Sequence, residues 1–197
     1  MVGRILSFVL MATACLISVA AAESATHAKI STSKGNIIVE LYPNKAPKTV
    51  ANFLDYATSG HYDRTLIHRV APGALIQGGG YSRLFTERPV RDPIPYEGDN
   101  GLKNERGAIA MARGDDPASA TSQWFINLKD NPRLDHAVDE FGPRYGYAVF
   151  GKVVDGMAVV EAIGAVETGP GGPFEAEVPS EMIFVERVDP IDWPPAE

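Results

Sequence analysis

Few side chains in this sequence are arranged for bond-making chemistry. Its four histidines stand at 27, 61, 68 and 136, with no pair at the helical or hairpin spacing of a zinc site and no thiolate nearby to assist. Ser122 lies outside any Gly-x-Ser-x-Gly elbow, and Asp115, Asp116, Asp135 and Asp139 fall in polar stretches that read as solvated loops. The run Gly78-Gly79-Gly80 lacks the lysine and the following helix of a phosphate loop, so it predicts a bend or bulge in a strand. Taken singly, Arg69 reads as a surface arginine in an ion pair, and Phe125 and Leu134 read as ordinary core.

Three longer segments change that reading when taken together. Ile67-His68-Arg69-Val70-Ala71-Pro72-Gly73-Ala74-Leu75-Ile76-Gln77-Gly78-Gly79-Gly80 is the first. Gly107 to Arg113, followed by Ala120-Thr121-Ser122-Gln123-Trp124-Phe125-Ile126-Asn127, is the second; Leu134-Asp135-His136 leading to Tyr147 to Val153 is the third. In this order the segments resemble the cyclophilins, the peptidyl-prolyl cis/trans isomerases, from about Lys29 to Val188. The insert between Asp135 and Tyr147 is similar to that of the exported bacterial branch.

The resemblance implies a mainly β protein, a closed eight-stranded antiparallel barrel capped by two α-helices, with its groove on the outer wall. It implies that Arg69 is the catalytic arginine and that no metal or other cofactor is needed. Phe125 and Leu134 match the apolar proline pocket, Leu75 takes the place of a methionine, and Gln77 matches the glutamine that orients the arginine. Ala112 and Arg113 match the strand whose backbone pairs with peptide, Gln123 lies beside it, and Tyr147 stands where many members have histidine. His68, next to Arg69 on a strand, is expected to face the other way and to play a structural part.

Two positions depart from the family pattern. Ala74 replaces a phenylalanine of the proline pocket, which leaves part of the apolar wall missing unless Leu75 or Tyr81 moves in. Arg133 occupies a position that is tryptophan in cyclosporin-sensitive members, so weak cyclosporin binding is expected. The partners implied are proline-containing polypeptides and unfolded exported proteins, met by a monomer. The weakened pocket also fits a different class of function, a proline-peptide-binding or chaperone module with little turnover.

The elements needed to position these residues are visible as periodicity. Lys29 to Tyr42 alternates around Ser33-Lys34-Gly35-Asn36 and predicts a hairpin. Pro47 followed by Val50, Phe53, Leu54 and Ala57 up to Gly60 predicts an amphipathic helix, and Met157 to Val166 a second one ending near Gly164. Between and after them, Thr65–Val70, Leu75–Ile76, Ala108–Ala112, Trp124–Leu128, Ala148–Val154 and Met182–Val188 read as strands of an antiparallel system. In the last, Met182, Phe184 and Val188 are expected on one face and Ile183 and Val185 on the other. Gly169–Pro173 reads as a loop, and Asp189–Glu197 as Pro-rich; the domain is taken as 27–190 and the tail as 191–197.

Composition bounds the rest. The 197 residues carry 18 basic against 25 acidic side chains, and this balance with no basic tract argues against nucleic acid as a partner. Residues 1–22 read as a secretory signal peptide: Arg4, the apolar run Ile5–Ala20, then Ala20-Ala21-Ala22 before Glu23. A retained anchor would need a longer apolar stretch, and lipid attachment at Cys15 is opposed by the apolar residues that follow it. Cleavage there removes the only cysteine and leaves a thiol-free chain for the periplasm or the extracellular space, stabilised by packing alone.

Overall fold

The computed structural model describes residues 26–194. The expected signal peptide and the last three residues of the expected tail lie outside the described residues. The order of elements is β1 (His27–Thr32), β2 (Gly35–Leu41), α1 (Pro47–Thr58), β3 (Thr65–Ala71), β4 (Leu75–Ser82), β5 (Ala108–Met111), β6 (Trp124–Asn127), β7 (Ala137–Asp139), β8 (Gly142–Arg144), β9 (Val149–Asp155), α2 (Met157–Gly164), β10 (Thr168–Gly171), β11 (Phe174–Pro179) and β12 (Phe184–Ile191). Eight strands close a barrel in the order β1-β12-β3-β4-β6-β5-β9-β2, and β7–β8 and β10–β11 form separate hairpins. Ladder pairing throughout the barrel is antiparallel.

The barrel is filled rather than hollow. Ile30, Ile37, Val39, Ile67, Ile76, Ile109, Trp124, Ile126 and Phe150 form one buried cluster, which Val50, Phe53 and Tyr56 of α1 and Val160 and Ile163 of α2 complete. Phe53 meets Phe150 at 5.2 Å between ring centroids, which seats α1 on the core. Pro47 opens α1 where no N–H bond is required, but Ala46 offers no side-chain cap. The carboxylate of Glu97 takes that role from a distant loop, accepting the N–H groups of Lys48 at 3.0 Å and Thr49 at 2.8 Å.

Three expectations are corrected. β12 begins at Phe184, not Met182, and continues to Ile191, pairing Pro190 with Ala28 and Ile191 with His27, so the strand takes in the start of the Pro-rich stretch and the first residue of the expected tail. Ser31 pairs with Arg187 and Thr32 with Val185, so Glu186 is an extra residue in the ladder. This bulge shifts the alternation, and Ile183, Val185 and Val188 are all buried while Met182 is exposed. Gly169–Pro173 is not a loop: it supplies β10 and the Gly172-Pro173 turn to β11, which lies against β3. Asp135 is not solvated; its Oδ1 accepts the Asn104 N–H at 2.7 Å in a buried setting.

The glycine run in β4 does bend the strand. Gly79 has φ +88°, and a Cβ there would stand 2.9 Å from the Ser122 carbonyl oxygen and 3.0 Å from the Trp124 ring. Gly73 also has a positive φ, +67°, but with open space around it. Gly79→Ala is therefore expected to lose about 2–4 kcal/mol of stability in urea unfolding, and Gly73→Ala only about 1 kcal/mol. Equal losses would show that backbone conformation alone, and not the close approach, sets the cost.

Candidate active site

The site begins with a change of parity in β3. Ile67 pairs with Gly78 and Arg69 pairs with Gln77, which leaves His68 as an extra, bulged residue. In a regular strand Ile67 and Arg69 would share a face. With the bulge, Ile67 and Val70 point into the core while Arg69 and Ala71 lie on the outer wall. His68 is buried against Tyr81 and Phe174 while Arg69 is exposed, and it is also the irregularity in the ladder that turns Arg69 outward.

From Arg69 a row of cross-strand partners runs across the wall. Arg69 opposes Gln77, Gln77 opposes Phe125, Phe125 opposes Ala110, and Ala110 opposes Val149. Phe125, Ala110 and Val149 join Ala71, Leu75 and Ala108 in a second apolar cluster, edged by Ala74, Ala112, Leu134 and Tyr147. Phe125 lies 3 % exposed as its floor, with the Tyr147 ring edge-on at 5.3 Å. A depression of about 310 Å³ is lined by Arg69, Leu75, Gln77, Ala112, Arg113, Phe125, Leu134 and Tyr147. It adjoins one of about 470 Å³ containing Ala74 and Arg133, and another of about 280 Å³ containing Gln123. All ten residues singled out in the sequence therefore meet along one groove.

Hydrogen bonds order the polar edge. Arg69 Nη1 donates to Gln77 Oε1 at 3.2 Å, and Gln77 Nε2 donates to Gln123 Oε1 at 2.9 Å. Arg113 is committed elsewhere: it donates to the carbonyls of Gly114, Tyr145 and Gly146 and covers the Tyr147 ring at 5.0 Å, so it builds the wall. Ala112 and Arg113 lie just past the end of β5, not within it. On the opposite rim Asn131 donates to the Ala74 carbonyl at 3.1 Å and to Asn127 Oδ1 at 2.8 Å, and Asn104 ties Asn127 to Asp135. This amide network holds the segment that carries Leu134.

Ala74 has no aromatic substitute. Leu75 is in the groove floor, but Tyr81 is not; it packs on His68 and Phe174 and donates to Glu87 at 2.8 Å. One participant was invisible in the sequence. Arg69 Nε donates to Glu177 Oε2 at 2.6 Å, with the two side chains 44 % and 37 % exposed. Glu177 lies on β11, beyond the Gly169–Pro173 stretch, and no local signal connects it to Arg69, 108 positions away.

The remaining titratable candidates are dispersed. His61 meets the Gly79 carbonyl, His136 the Tyr96 hydroxyl, and Ser122 is fully buried. Among the described residues there is no group of three or more His, Cys, Asp or Glu that could hold a metal, and no helix long and apolar enough to cross a membrane. What the groove can do is hold a small apolar ring on Phe125 and Leu134 with a fixed cation at its edge.

Comparison with known proteins agrees with this geometry. The family described as cyclophilin-type peptidyl-prolyl cis-trans isomerase/CLD matches residues 27–188. A peptidyl-prolyl cis-trans isomerase A of Dickeya dadantii is 48 % identical over 166 residues, 84 % of this chain and 85 % of that protein. Isomerase B of Escherichia coli is 45 % identical over 157 residues, 80 % of this chain and 94 % of its own. A solved Cryptosporidium parvum cyclophilin-type isomerase, crystallised in the presence of the dipeptide Ala-Pro, superposes with a TM-score of 0.63 at 26 % identity, over 84 % of this chain and 99 % of its own. A cyclophilin from Hirschia baltica, 19 % identical, shares the fold with a TM-score of 0.67 over 85 % of this chain and 74 % of its own.

His68 provides a pH test of the bulge. It is 3 % exposed, and burial pushes its imidazole down to about 4, with the adjacent Arg69 charge acting in the same direction. The unfolded chain takes up this proton near pH 6.5 and the folded one near 4, so stability should fall as pH drops through that window, by up to about 3 kcal/mol. Urea midpoints at pH 7.5 and 4.5 should show a smaller loss in His68→Phe than in the wild type; an equal loss would assign the acid sensitivity to other groups.

Proposed function

The chain belongs to the cyclophilin-type peptidyl-prolyl cis-trans isomerase family and is a peptidyl-prolyl cis-trans isomerase; on that premise we propose that Arg69, held over the Phe125–Leu134 floor, is the group that stabilises the twisted X-Pro amide. An X-Pro bond prefers trans by only about 0.5–1 kcal/mol, yet amide resonance imposes a rotation barrier of about 18–20 kcal/mol. No covalent bond has to break, so the enzyme needs neither nucleophile nor metal. It must bind the twisted amide better than either planar form. An acceleration of about five orders of magnitude requires roughly 7 kcal/mol of that preference.

Twisting ends the conjugation and gives the prolyl nitrogen a lone pair, while charge on the carbonyl oxygen changes with it. A guanidinium meets these changes with rigid, permanently charged donors. Two of its five donors are engaged by Glu177 and Gln77, which leaves the others for substrate. The apolar floor holds the ring and excludes water from one side, which strengthens the interaction with the cation. The single observation that carries this reading is the register row Arg69–Gln77–Phe125, which places a fixed charge beside an apolar seat on the outer wall.

The substrate class is proline-containing polypeptide, and residues 1–22 support export with removal of the signal peptide, to the periplasm or the extracellular space, where the enzyme, taken as a monomer, would speed proline-limited folding of exported proteins. The run Ile5–Ala20 followed by Ala20-Ala21-Ala22 supports export. Ala74 and Arg133 line the larger depression together, without the aromatic pair the family places there, which supports weak cyclosporin binding.

In a protease-coupled assay on short X-Pro peptides, Arg69→Ala is expected to lower kcat/KM by about 10²–10³, and Arg69→Lys to recover little because an ammonium lacks the fork. In the same assay Ala74→Phe should lower KM about three- to tenfold by restoring apolar wall, and cyclosporin should inhibit the wild type poorly. Full turnover by Arg69→Ala would remove the arginine mechanism. Export is checked by sequencing the N-terminus of the protein recovered from the periplasmic fraction, which should begin at Glu23; an intact Met1 there would defeat the signal-peptide reading.

A further inference from the structure

We infer that Glu177 is a positioning residue for Arg69, and that the β10–β11 hairpin serves to hold its carboxylate against the Nε edge of the guanidinium. The inference rests on the reading that Arg69 carries the catalysis, and it deepens that reading.

The geometry is that of a two-point clamp. Glu177 Oε2 lies 2.6 Å from Arg69 Nε, and Gln77 Oε1 lies 3.2 Å from Nη1. A guanidinium is planar, so acceptors on two of its edges define its orientation as well as its place. With Gln77 alone, the long arginine stem could swing about one bond and spread its charge over the groove. With both, the unengaged donors keep one direction through the turnover.

The hairpin is anchored to the same irregularity that turns Arg69 outward. Phe174 of β11 stacks on His68 at 5.7 Å and meets Tyr81 edge-on at 5.1 Å, and His68 is the bulged residue before Arg69. Within β10–β11, Gly169 pairs with Val178 and Gly171 with Phe174, so Glu175, Ala176 and Glu177 together oppose Pro170. At the end of this irregular stretch Glu177 has φ +63°. That conformation suits glycine, and a side chain is kept there at a cost in backbone strain. The carboxylate it delivers to Arg69 gives the strain a physical reason.

The test uses full-length mature protein, steady-state isomerisation of an X-Pro peptide, and thermal unfolding. Glu177→Gly and Glu177→Asn both accept the left-handed backbone, and neither carries a carboxylate that reaches Arg69. Both are expected to keep or raise the thermal midpoint while losing kcat about three- to tenfold with KM unchanged, because the arginine must then be ordered during each turnover. Added salt, which screens a half-exposed pair, should lower kcat of the wild type toward that of the variants and leave the variants unaffected. A purely structural glutamate would lower the midpoint on substitution and leave kcat and its salt response alone, and that result would overturn the inference. Should Glu177→Gly fold poorly, Glu177→Asn decides. Wild-type kcat in the Glu177 variants beside an inactive Arg69→Ala would overturn the clamp and leave the arginine mechanism standing; an active Arg69→Ala would remove both.

Discussion

A single inserted residue in β3 governs where the charge of this protein can act. With regular alternation, Arg69 would follow Ile67 into a barrel already occupied by Ile76, Ile109, Trp124 and Phe150, where an unpaired cation is prohibitively costly. The bulge at His68 reverses the parity, so the cation reaches the outer wall without losing the strand pairing that aims it. The groove is arranged with respect to that position: Gln77 opposite it in the ladder, Phe125 one strand further, and the rim segment with Leu134 beyond.

Because the reaction breaks no covalent bond, fixed geometry has to supply most of the rate gain. A filled barrel suits this purpose, since its wall cannot flex without opening a packed core. Two of the strands beneath the groove, β5 and β6, are only four residues long, and the segments around them are secured by polar bonds as well as by packing. The Asn104, Asn127, Asn131 and Asp135 side chains fasten the Leu134 segment to the barrel through bonds that apolar contacts could not direct. Arg113, tied to the backbone carbonyls of Gly114, Asp115, Tyr145 and Gly146, does the same for the opposite wall.

The groove is also asymmetric in a way that separates binding from chemistry. The depression at Phe125 combines an apolar floor with Arg69, Gln77 and Arg113 at its rim, while the wider depression containing Ala74 has Arg133 and Lys129 at its edge. The polar side is crowded, with Arg69 engaged by both a carboxylate and an amide. On the proposed mechanism, affinity for the ring would depend on the apolar floor and orientation of the cation on the polar side.

The sequence by itself determined the elements whose signals are local. The hairpin around Ser33-Lys34, helix α1 from Pro47 to the glycine beyond its end, helix α2 and the strands rich in Val, Ile and Phe are all written in periodicity and turn residues. The family resemblance added what periodicity lacks, namely the count of eight strands and the ten groove residues. Tertiary structure alone decided the features that depend on an extra residue in a ladder or on a partner far along the chain. The bulges at His68 and Glu186 change which side chains face inward, yet no residue type marks them, because a bulge is defined by the register of the opposing strand. Strand β11 alternates Phe174, Ala176 and Val178 with Glu175 and Glu177, a pattern too short to stand out beside the glycines before it, and Phe174 seats it on Tyr81 and His68. Likewise Glu97 at the start of α1 and Glu177 at Arg69 are ordinary surface acids until folding brings them to a charge or a dipole they can complete. Local propensity acts over a few residues, whereas electrostatic pairing and ladder register act across whatever the closed barrel places side by side.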